Sequence, residues 1–242
     1  MGVLSWIADV FAAQPDPPVG VVLGTAALAL VVVGIHSVWR VVRNAITIAH
    51  EGGHALVAVL SGRRLQGIRL HSDTSGLTIT RGAQGGPGVF FTLLAGYTAP
   101  SLLGLGGAFL LALGRITLLL WVSLLLLAAM LVMIRNVFGA LSVVVTGAVV
   151  FVVSWFATAH VQAVFAYAGV WFLLVGGVRP VFEVQRQRRR GRAPSSDADQ
   201  LAGLTSVPGL FWVAVFLVVS LGALAAGAVL LGVHPGGYGW PR

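Results

Sequence analysis

The chain has 242 residues, 57% hydrophobic and only 9% charged, with a mean hydropathy of +0.95. So much apolar surface cannot be kept in water, which excludes a soluble enzyme, a nucleic-acid-binding domain and a disordered regulator and makes the bilayer the expected solvent. The net charge of +8 comes from fifteen arginines and no lysine, set mostly between apolar runs as membrane orientation requires, and the lack of cysteine leaves six His and seven Asp or Glu as metal ligands.

Residues 1–18 have no basic residue ahead of the first apolar run and contain Pro15, Pro17 and Pro18, which argues against a cleaved leader. Val3, Trp6, Ile7, Val10 and Phe11 fall at helical spacing and predict an interfacial N-terminal segment. A membrane core is predicted over 19–178. Its spans, long enough to cross about 30 Å of hydrocarbon at 1.5 Å per residue, are 19–39, 88–113, 116–134, 137–155 and 161–178. A helix at 44–61 contains charge, and six or seven spans result according to whether it crosses. Residues 67–81 alternate apolar and polar side chains around the turn-forming run Ser72 to Gly76 and predict a β-hairpin, with Asp73 in the turn. Residues 179–207 form a basic loop, cytoplasmic by the positive-inside rule, in which Arg186 to Arg192 anchor the topology beside the lipid bilayer. The last transmembrane helix is 208–232 and a tail follows at 233–242. The fold expected is an all-α polytopic membrane protein with a small hairpin after the charged helix.

Within 44–61 stands His50-Glu51-Gly52-Gly53-His54, the pattern H-E-x-x-H. One helical turn separates the imidazoles, and Glu51 stands about 60° from His54 around the axis, so all three face one site. Two such nitrogens can grip zinc, whose bound water falls to a pKa of about 7, and the glutamate can take the proton as that water attacks a peptide carbonyl. Chance supplies roughly 10⁻³ matches to this pattern in a chain of this composition. A charge inside an apolar segment also costs at least about 2.5 kcal/mol, which a purely structural glutamate would have to justify. Gly52 and Gly53 should let another helix approach, and the expected partner is 94–108, with Gly96, Pro100, Gly104 and Gly107.

At this point the chain resembles the site-2 protease group of intramembrane zinc metalloproteases, through HEGGH followed at once by a predicted hairpin. It is similar further to one bacterial subgroup, through HEGGHALVAVLSG, GIRLHSDTSGLT, AGYTAPSLLG and SDADQLAGLTSVPGLFW. The resemblance implies zinc, His50 and His54 as ligands, Glu51 as general base, and a strand beside the cleft that receives substrate in extended form. It also implies a third ligand, an aspartate on a later membrane helix in a motif with Asn and Pro. Here the corresponding place, Ile134 to Gly139, has Asn136 but neither Asp nor Pro, and no acid occurs between Asp73 and Glu183.

The third ligand must come from elsewhere, and Asp197 is the first candidate, with Asp199 behind it. The competing reading makes Asp197 the N-cap of a short helix at 198–205. Thr78, His71 and Asn136 are the candidate substrate contacts, while His36, His160 and His234 read as ordinary interfacial residues. The function expected is a zinc-dependent endopeptidase acting on membrane-protein or peptide substrates in a cell inner membrane. Arginine without lysine, and abundant Ala, Val and Gly, point to a GC-rich bacterial source. The alternative is a catalytically silent scaffold of the same fold that binds partner helices. A transporter is disfavoured, because outside the HEGGH helix the spans are almost free of ionisable residues.

Overall fold

The apolar run that begins at Val19 forms a helix that stops short of its predicted end. In the computed structural model, which describes residues 10–191, 193 and 195–232, α1 (Val19–Gly34) meets α2 (His36–Leu60) at Ile35 with a bend of 105°. Residues 36–39 therefore belong to the HEGGH helix and not to the first span. The carbonyls released at the end of α1 are taken by Arg179, whose Nη1 donates to Val33 and, at 3.5 Å, to Gly34. Glu183 holds the other side of the bend: it accepts from Trp39 Nε1 at 2.9 Å and Arg179 Nε at 3.0 Å and pairs with Arg43 at 3.1 Å. No local sequence signal could place a break whose partners lie so far along the chain. Of the N-terminal stripe, Val3, Trp6 and Ile7 lie outside the described residues, as does the 233–242 tail.

The remaining elements are β1 (Arg64–Leu70), β2 (Gly76–Arg81), α3 (Pro87–Ala112), α4 (Ile116–Met133), α5 (Val137–Phe156), α6 (Ala159–Arg189), α7 (Asp197–Thr205) and α8 (Gly209–Leu230). Among the described residues five helices, α3, α4, α5, α6 and α8, are long and apolar enough to cross a membrane, and the bent α1–α2 pair makes a sixth if it is one span. The segment predicted as a basic loop is helical over much of its length, because α6 runs on to Arg189 and α7 begins at Asp197.

Helix α6 is central, packed against α1, α3 and α8 around Tyr167, Val170, Trp171 and Leu174. In lipid, small residues rather than hydrophobicity bring helices together. Gly104 and Gly107 of α3 do so against Leu174 and Val170 of α6, not against α2 as the sequence suggested. The α2–α3 approach is made by Gly53 alone of the HEGGH pair: a Cβ there would overlap the Ala99 Cβ and lie 3.0 Å from the Ala95 carbonyl oxygen. At Gly52 the nearest atom would be Met130 Sδ, at 3.9 Å. Gly53→Ala should therefore lower the thermal midpoint in detergent by an overpacking cost of about 1–3 kcal/mol. Gly52→Ala should leave it unchanged or raise it through helix propensity. Equal midpoints for the two variants would contradict this packing.

The hairpin is longer at its start than predicted, beginning at Arg64 and carrying a bulge between Leu65 and Gly67. Ile68 pairs with Thr78 and Leu70 with Gly76. Ile68 and Leu70 are buried with Met130, Ile134 and Val143. The outer edge of β1 is covered by the α4–α5 junction. Ile134 bridges Ile68, Arg135 N donates to the Ile68 carbonyl at 2.8 Å, and the Asn136 side chain both accepts from Leu70 N (3.1 Å) and donates to Leu70 O (2.6 Å).

Candidate metal centre

One face of α2 carries His50 and His54 one turn apart, and the first residue of α7 brings Asp197 to them. His54 Nε2 lies 3.1 Å from His50 Nε2 and 3.3 Å from Asp197 Oδ2, and His50 Nε2 lies 3.4 Å from the same oxygen. Tetrahedral zinc with bonds of about 2.0–2.2 Å sets its ligand atoms roughly 3.3–3.6 Å apart; the two edges to Asp197 match this, and the edge between the histidines is slightly shorter. The donor chemistry fits as well. His54 Nδ1 lies 2.7 Å from the Thr92 carbonyl oxygen, which can only accept, so Nδ1 carries a proton and Nε2 is the ring nitrogen turned towards His50 and Asp197. Asp197 Oδ2 is buried with no hydrogen-bond donor. A third observation is a space kept open: a Cβ at Gly96 would stand 2.5 Å from His54 Cε1 and Nε2 and 2.7 Å from Asp197 Oδ2. Glycine on α3 is what lets His54 and Asp197 meet.

Asp197 reaches this position because α7 is docked by both its faces. Ala198 and Leu201 are buried against Trp212, Val213 and Phe216 of α8. The N-cap is Ser196, not Asp197: the Ser196 side chain accepts from Asp199 N, and Ser196 Oγ donates to Asp199 Oδ2 at 2.6 Å. Asp199 is further gripped by Arg188, with contacts of 2.7 to 3.0 Å, which hold its carboxyl below the usual range. Burial opposes charge on Asp197, but His54 and His50 outweigh it and keep that carboxyl low. The two aspartates thus have separate tasks, one facing the histidines and the other tying α7 to α6.

Beside the triad opens a cavity of about 400 Å³, walled by Arg43, His50, Glu51, Gly76, Tyr97 and Glu183 among others. Glu51 is 4% exposed, and its Oε2 accepts from Thr78 Oγ1 at 2.6 Å. Tyr97 sets its ring edge-to-face with His50, centroids 4.7 Å apart, and stacks on Phe216. Of the candidate substrate contacts, Thr78 stands behind Glu51, Asn136 is engaged with β1, and His71 is exposed in the hairpin turn with Nδ1 3.2 Å from Ser75 Oγ. Asp73 accepts from Ser75 N and Oγ, as a turn residue does. The sequence names Gly96 only as a small residue of the helix expected to approach α2, and it does not single out Thr92 or Tyr97, although AGYTAPSLLG carries part of the resemblance. Finding them requires the rotation of α3 against α2, which one sequence does not give.

These features define a polytopic helical membrane protein with a His-His-Asp group able to hold a metal. The chain belongs to the Peptidase M50B-like family, whose model matches residues 23–227, in keeping with the site-2 protease-like resemblance. Membership brings a peptidase type of function, and peptidases of this kind are typically zinc-dependent. No curated protein and no solved structure matches the chain.

Proposed function

We propose that the protein is an intramembrane zinc-dependent endopeptidase that hydrolyses peptide bonds of membrane-associated substrates. The observation that carries this reading is the meeting of His50, His54 and Asp197 within zinc-ligand distances of one another, beside Glu51 and an open cavity. Zinc held by these three residues would supply a Lewis acid and a water of lowered pKa. Glu51 would accept the proton of the attacking water and return it to the leaving amine. The Thr92 carbonyl fixes the His54 tautomer, and Tyr97 and Phe216 hold the His50 ring in place.

Substrate would lie in the cavity in extended form, since a helix must unwind before its carbonyls can be attacked and its freed backbone groups need partners in lipid. The placement that goes with this reading is a bacterial inner membrane with α7 on the cytoplasmic side. The scaffold alternative drew its support from the absence of a carboxylate in the spans, and Asp197 now offers one from outside them. The test is zinc content of detergent-purified protein: one zinc per chain is expected in the wild type, lost in His54→Ala. Wild-type protein that binds no zinc under conditions where it is folded would sink the proposal.

A further inference from the structure

We propose that Thr78 is the positioning residue of the Glu51 carboxylate, held in place through β1 by Asn136. The inference rests on Glu51 being the base, but assigns residues that this reading does not need. A glutamate side chain has three rotatable bonds, and an unheld carboxylate beside a cavity would sample several orientations. Here one oxygen is fixed: Thr78 Oγ1 to Oε2 is 2.6 Å, the length of a charge-assisted O–H···O⁻ bond. The other oxygen, Oε1, packs against the bare Cα of Gly76, where any Cβ would collide with it. Gly76 and Glu51 line the cavity and Thr78 does not. One oxygen is therefore held from behind while the wall in front of the other is kept low.

The hold is only as good as the placement of β2, whose strand partner among the described residues is β1. The pairing puts Thr78 opposite Ile68 and Gly76 opposite Leu70. Ile68 and Leu70 are the two residues that the α4–α5 junction grips, Ile68 by Arg135 N and Leu70 by both ends of the Asn136 amide. A continuous path of hydrogen bonds and strand pairing thus runs from Asn136 through Leu70 and Ile68 to Gly76 and Thr78, and ends on Glu51. Asn136 here makes with its own β1 the paired main-chain contact that an added strand would make.

The test uses zinc-loaded full-length protein and binding of dileucine hydroxamate measured by calorimetry. A hydroxamic acid gives up its proton as it chelates zinc, and a correctly turned carboxylate beside the metal accepts it. Thr78→Val, which keeps the shape and removes the donor, should weaken binding on the order of ten- to a hundredfold at unchanged zinc content. Thr78→Ser should restore wild-type affinity. Asn136→Ala should weaken binding in the same direction and raise amide hydrogen exchange across residues 64–81. If Thr78→Val binds as the wild type does while Glu51→Gln binds poorly, the positioning role is overturned and the base survives. If Glu51→Gln itself binds as the wild type does, the base reading fails and this inference with it. Weak binding by Thr78→Ser as well as by Thr78→Val would make Thr78 a packing residue only.

Discussion

Glu51→Gln is expected to retain one zinc per chain and the wild-type thermal midpoint while losing peptide cleavage by a factor on the order of 10²–10⁴. The amide keeps the length and shape of the side chain, and its oxygen can still accept from Thr78, so neither packing nor the His50-His54-Asp197 group is disturbed. What the amide cannot do is accept a proton. The measurement is the rate of cleavage of a membrane-anchored reporter in liposomes, with zinc determined on the same preparation. Cleavage at the wild-type rate by a fully zinc-loaded variant would remove Glu51 from the chemistry.

The second large effect is expected at Asp197. Asp197→Ala leaves two imidazoles, and its zinc affinity should fall by about a hundredfold or more in competition with a chelator. Asp199→Ala is the matched control, two residues away on the same short helix. It loses the Arg188 contacts and part of the Ser196 cap, interactions worth about 1 kcal/mol each at a half-exposed site, and should shift zinc affinity only slightly. Should both variants resist the chelator as the wild type does, Asp197 is not a ligand.

The membrane class, most span boundaries, the hairpin and the HEGGH face were legible because each depends on local period or on a motif of fixed spacing. The break at Ile35 was not legible, since what stabilises it is Arg179 and Glu183 on α6. Asp197 could be ranked by chemistry, but not separated from an N-cap until Ser196 was seen to fill that role. Gly96 illustrates the limit best. In sequence it has a packing role against α2, but only the crossing of α3 over α2 and α7 shows that its missing side chain makes room for His54 and Asp197 together. The same applies to Asn136 and Thr78, which stand far apart in the chain and are joined by strand register.

The source of the third donor has a consequence for how the protein is made. Both histidines are inserted early, on α2, and four further long apolar helices follow before the ribosome reaches Asp197. Because α7 is seated by Trp212, Val213 and Phe216, the carboxylate does not arrive until α8 has been synthesised and folded against the bundle. While α3 to α6 are being made, the nascent chain therefore carries the two histidines without the carboxylate that α7 later brings beside them.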